Sequence, residues 1–173
     1  MTVLREEDIL YSVLIVFLTV ASYTDIKYSK IYNIWVLIAS LPVIYIRSYS
    51  FFIWAAVSTA CGFILYICRM VGAGDIKLVA YIYATLGPGH ASTVLLISLS
   101  IAAVYALYFL LSKKILYTRL LYLKEYVSKC IKNKNIYEYY DINKNDRSLT
   151  MPMAQWLLAG FIIWRIYYLC MII

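Results

Sequence analysis

Residues 92–112 run from Ser92 to Ser112 without a single charged side chain, and residues 50–68 do the same. Stretches of this kind constrain a fold more than any motif does. About 20 consecutive apolar residues in a helix cross the hydrocarbon core of a bilayer, and every backbone polar group is then satisfied inside the segment. Six such candidates occur, at 9–24, 31–47, 50–69, 75–88, 92–112 and 151–173. The fourth is short, so it is expected to begin in a wet recess or in a locally thinned membrane. Composition agrees: the chain is 64% hydrophobic and 14% charged, too apolar for one small soluble core. The expected class is an all-α polytopic membrane protein with about six transmembrane helices, forming a single domain over residues 1–173. The opening "MTVLREEDILYSVLIVFL" has three acids against Arg5 and no small-residue cleavage site, so the first apolar run is read as a retained span rather than a signal peptide.

The connections are short except for residues 113–150. There Leu116, Leu120, Leu123, Val127, Cys130 and Ile131 recur at three- and four-residue steps, with Lys and Arg between them. That pattern predicts a basic amphipathic helix lying on the membrane surface, followed by a loop rich in Asn, Lys and Tyr. Thirteen of the sixteen Lys and Arg residues fall in the segments near 25–30, 69–77 and 113–150, on one side of a six-span topology. The other side holds Arg5 and Arg47. This bias predicts a cytoplasmic long segment and both termini outside. The +7 charge is therefore read as topology and contact with anionic lipid, not nucleic-acid binding.

Against that background two acids stand out. Glu6, Glu7 and Asp8 lie at the N-terminus, and Glu125, Glu138, Asp141 and Asp146 in the long segment. Asp25 closes the first span and Asp75 opens the fourth, so both fall on the same side at one depth. Carboxylates near a bilayer are costly and commonly face a bundle interior or a wet cavity. Two brought together titrate as a unit, one acid and one base, which is the arrangement of an aspartic protease. Each is also compatible with a solvated boundary charge, and Asp75 with a helix cap. Gly72 and Gly74 remove side chains directly before Asp75. They either let an extended peptide backbone approach the acid, relax a turn, or let helices pack closely.

The segment "GAGDIKL" resembles the G-x-G-D motif of the type IV prepilin peptidases, a family of intramembrane aspartic proteases. "DIKYSKIYN" resembles that family's other catalytic segment, with Asp25, Ile31 and Asn33 matching and Tyr32 standing where Pro is usual. "TMPMAQW" is similar to its Pro-containing segment at the last span, with Pro152 matching and Met153 in place of an aromatic residue. The resemblance covers the whole chain. It implies a short, peptidase-only member without the paired C-x-x-C sites that go with methyltransferase activity. It implies Asp25 and Asp75 as catalytic residues and Gly72, Gly74, Asn33 and Pro152 along the substrate path, with no metal or cofactor. It implies prepilins or pilin-like proteins as partners, cut between a basic leader and an apolar helix at the cytoplasmic face of the cell membrane. Which Asp is acid and which is base is open at this stage. Lys27, Lys30, Arg69 and Lys77 either tune the acids or anchor the spans. The competing class is a transporter or assembly subunit whose two Asp residues bind protons or cations. His90 lies in "LGPGHAS", a tight turn, and is given no metal or catalytic role. Arg165, inside the last span, either snorkels or pairs with an acid.

Overall fold

A computed structural model describes residues 2–67, 71–113, 117, 121, 123–125, 127, 128 and 152–172. All regular structure among them is helical. The helices are α1 (Thr2–Tyr28), α2 (Asn33–Arg47), α3 (Tyr49–Ile67), α4 (Ala73–Ser112) and α5 (Ala154–Ile172). Four contain stretches long and apolar enough to cross a membrane: Glu6–Tyr28, Tyr49–Ile67, Ala73–Ser112 and Ala154–Met171. The helices do not correspond one to one with the six expected spans, for two reasons. Helix α2 has only 15 residues, and the fourth and fifth candidates are joined end to end in the 40 residues of α4. Unbroken, α4 would be about 60 Å long, twice the hydrocarbon thickness of about 30 Å.

It is not unbroken. Gly87 has φ 76° and ψ 169°, outside helical space, and Pro88 follows it. The tight turn expected around His90 is thus compressed into one residue, with His90 already helical. Side-chain contacts show that the chain reverses at this break. In the first leg of α4, Lys77 meets Asn33, Tyr81 meets Ala39 and Arg47 meets Thr85, so the leg runs parallel to α2. In the second leg, Tyr105 packs on Trp156 and His90 on Trp164 and Tyr168, so that leg runs antiparallel to α5. Arg47 donates from Nε to the Thr85 carbonyl at 3.2 Å. It supplies a donor where the last carbonyls of a helical leg lack intrahelical partners.

The interior is built from helical stripes. Leu10, Leu14, Phe17, Leu18 and Ala21 of α1 are buried at steps of three and four. They pack with Leu78, Tyr81 and Ile82 of α4 and with Ala154, Leu157, Phe161 and Trp164 of α5. Helix α3 is peripheral, with Phe51 buried and Ile64, Phe63 and Leu65 exposed. Such exposed apolar surface suits a membrane protein, whose helices associate through close packing rather than by hiding from solvent. Two glycines serve that packing. A Cβ on Gly62 would lie 2.8 Å from Ile76 Cγ2, where α3 meets α4. A Cβ on Gly160 would strike Ser98, where α4 meets α5.

Arg165 pairs with an acid. Its guanidinium meets Asp8 Oδ1 at 2.8 Å and lies 4.1 Å from the Tyr11 ring centroid. The described residues between 117 and 128 are helical. The rest of the predicted amphipathic helix, the loop after it and Arg69 lie outside the described residues.

Candidate active site

Asp25 sits in the last turn of α1. The helix ends at Tyr28, and Ser29 adopts φ 50° while its N–H still donates to the Asp25 carbonyl at 2.8 Å. The chain then crosses to α2 through Tyr32, the residue that stands in place of proline. Tyr32 holds φ −77° and ψ 128°, a backbone angle that a pyrrolidine ring also imposes. The substitution therefore preserves the entry geometry of α2, and the ring packs edge-on against Tyr28.

Asp75 is set by the start of α4. Gly72 is the N-cap, with extended φ −74° and ψ 150°, and its carbonyl accepts from the N–H groups of Asp75 and Ile76 at 3.1 and 3.3 Å. Asp75 is the third helical residue. Its carboxylate folds back toward Gly72: a Cβ there would sit 3.3 Å from Asp75 Oδ2, closer than ordinary contact, so glycine suits the position. Gly74 has a different neighbour. The space its missing side chain leaves is taken by Ile31, whose Cδ1 would be 3.2 Å from a Cβ there. Both glycines thus admit groups of the protein itself.

The two acid-bearing segments are tied together twice, by Ile31 against Gly74 and by Lys77 Nζ donating to Asn33 Oδ1 at 2.7 Å. The third segment joins them through Asp25. Its Oδ2 accepts from the backbone N–H of Ala154 at 3.2 Å, across 129 residues of sequence. Ala154 opens α5 and is 0% exposed; Pro152 lies two residues before it and is partly exposed. Asp25 and Asp75 are both partly buried and lie within Coulombic reach of each other. Three motifs that are far apart in the chain therefore meet at one end of the bundle, at the starts of α2, α4 and α5 and the end of α1.

The family model of the type IV leader peptidases matches residues 12–107. The chain belongs to this family. The match spans both carboxylates and the glycines, which gives the type IV leader peptidase membership a bearing on this end of the bundle. No match was found among curated proteins or among solved structures.

The cations near the site do not pair with either acid among the described residues. Lys27 Nζ lies 3.3 Å from Tyr23 Oη and rests over the Tyr23 and Tyr28 rings. Lys77 is engaged by Asn33. The contribution of Ala154 was not legible in the sequence, because a backbone N–H carries no residue identity. The available signal was Pro152, since proline is common where a helix begins. The Lys77–Asn33 bond had a better signal, as both residues lie in recognised motifs.

Proposed function

We propose that this protein is an intramembrane aspartic endopeptidase that removes the basic leader from prepilins or pilin-like proteins. Asp25 and Asp75 hold a water between them. The ionised carboxylate takes the water's proton as its oxygen attacks the scissile carbonyl. The protonated carboxylate hydrogen-bonds the carbonyl oxygen, and a proton then passes to the leaving amine. The helical legs cross the membrane six times, with the Asp-bearing end cytoplasmic and both termini outside. A basic leader held on the cytoplasmic side then lies beside the acids. Asn33 and Pro152 flank the path of the extended substrate, and Gly72 and Gly74 let Asp75 and Ile31 settle into place beside it.

The observation that carries this reading is the placement of Asp25 and Asp75. They are fifty residues apart in sequence, on different helices, at one end of the bundle and within Coulombic reach, inside the stretch matched by the leader-peptidase family. The test is co-expression with a prepilin bearing a short basic leader. Asp25→Asn and Asp75→Asn should each slow leader removal by at least about 10²- to 10⁴-fold, the usual worth of a general acid or base. Normal processing by either variant refutes the dyad.

A further inference from the structure

Asp25 occupies an electrostatically awkward place. It lies at the C-terminal end of α1, where the helix macrodipole is negative and disfavours an anion. Its side chain has no ion-pair partner among the described residues. What its carboxylate does have is the Ala154 N–H, 3.2 Å from Oδ2. That N–H lies in the first turn of α5, so it has no acceptor within its own helix. It also sits at the positive end of the α5 dipole, where an anion is favoured.

The local structure aims the donor. The Met153 carbonyl accepts from the N–H groups of Trp156 and Leu157 at 3.1 and 3.2 Å, which fixes the first turn of α5. Ala154 is fully enclosed, so the donor is shielded from solvent while the carboxylate is only partly buried.

Resting on the peptidase reading above, we propose that Ala154 is a positioning residue. Its backbone N–H fixes the rotation of the Asp25 carboxylate, holding Oδ2 against the start of α5 and leaving Oδ1 for the water shared with Asp75. A free carboxylate turns about its χ2 bond. One that is pinned at a single oxygen presents the other in one direction, and a shift of the order of an ångström at a reacting atom costs about 100-fold in rate.

The experiment replaces the amide N–H at position 154 by an ester oxygen, using the α-hydroxy analogue of alanine. Ala154→Pro is the genetic counterpart, since proline is accepted in the first turn of a helix. Ala154→Gly, which keeps the N–H, is the control. The probe is a synthetic substrate with a short Lys-rich leader ending in Gly, followed by an apolar helix. The ester variant should lose about 10- to 100-fold in kcat, the range for a hydrogen bond to a charged group, with KM unchanged, while the glycine variant stays close to the parent. An unchanged kcat in the ester variant overturns the proposal. So does a fall in the glycine variant equal to that of the ester, because packing would then explain both.

A second measurement is independent of turnover. Melting temperatures in detergent form a cycle between the 154 ester and Asp25→Ala. The ester should lower the melting temperature of the parent but not that of Asp25→Ala, because the bond is already gone there. Additive effects overturn the proposal even if cleavage is never seen. Coupling without any cleavage by the parent would instead reject the peptidase reading and leave the Asp25–Ala154 contact standing.

Discussion

Gly87 and Gly89 lie two residues apart at the point where α4 reverses, and replacing each by alanine should have opposite effects. Beyond the adjacent chain, neither glycine has an atom within 4 Å of the position a Cβ would take, so sterics with packed neighbours drop out of both. What differs is the backbone. Gly87 holds φ 76° and ψ 169°, a region that is essentially reserved for glycine, and a non-glycine residue held there costs about 1–3 kcal/mol. Gly89 lies within the helical second leg, where alanine is better than glycine by about 0.5–1 kcal/mol. The two variants should therefore differ by about 1.5–4 kcal/mol, with Gly87→Ala the less stable. Gly87→Asn should not rescue, because asparagine tolerates the left-handed helical region at ψ near 47° and not ψ near 169°. Reversible unfolding in mixed detergent–SDS micelles measures the difference directly. Equal stabilities would mean that the chain does not turn back through Gly87, and the placement of the second leg of α4 against α5 would fall with it.

Other substitutions probe the packing and the site. Gly160→Ala should destabilise by about 1–3 kcal/mol, since its Cβ would approach the Cα and N of Ser98 to 2.8 Å, and Ser98→Gly should fail to rescue it. Gly62→Ala meets only the Ile76 side chain, so thermal unfolding of Gly62→Ala/Ile76→Ala should recover most of the loss seen in the single variant. Arg165→Ala should cost about 1 kcal/mol, mainly through lost contact with the Tyr11 ring. Asp8→Asn should cost less, because that carboxylate is 67% exposed and exposed ion pairs are worth little; equal losses would reverse this ranking. Tyr32→Pro should change stability by less than about 1 kcal/mol. The backbone is already at a proline angle, and the gain in chain stiffness offsets the lost Tyr28–Tyr32 edge contact; a large loss would show that the Tyr32 N–H or ring matters more than its φ.

The helical class was legible because uncharged runs such as 92–112 leave a chain few alternatives. The site was legible as far as residue identity carries it. Asp25, Asp75 and Asn33 stand out by charge placement and motif, and the structure brings their segments together, with Pro152 two residues from Ala154. What the sequence did not disclose was relational. Nothing in "GAGDIKL" says that Ile31 occupies the space beside Gly74, or that the Asp75 carboxylate folds back over Gly72. Arg165 had two readings of equal physical merit, and only the juxtaposition of α1 and α5 separates them by putting Asp8 within reach. The number of spans was harder still. Hydropathy divides residues 73–112 at Gly87 and Pro88, as the backbone does, but it gives no sign that α2 is a helix of only 15 residues.

The bond between Asp25 and Ala154 also bears on the order in which the protein becomes competent during its synthesis. Helices α1 to α4 emerge from the ribosome well before Ala154 does. Until α5 has been made and has docked against α1, the carboxylate of Asp25 lacks its donor, and the interior stripe of Leu14, Leu18 and Ala21 lacks the face formed by Leu157 and Phe161. A nascent chain halted anywhere in the long connection would carry both acids, with Asp25 still lacking its donor. In the proposed peptidase, a site divided in this way between early and late helices is complete only once α5 has docked against α1.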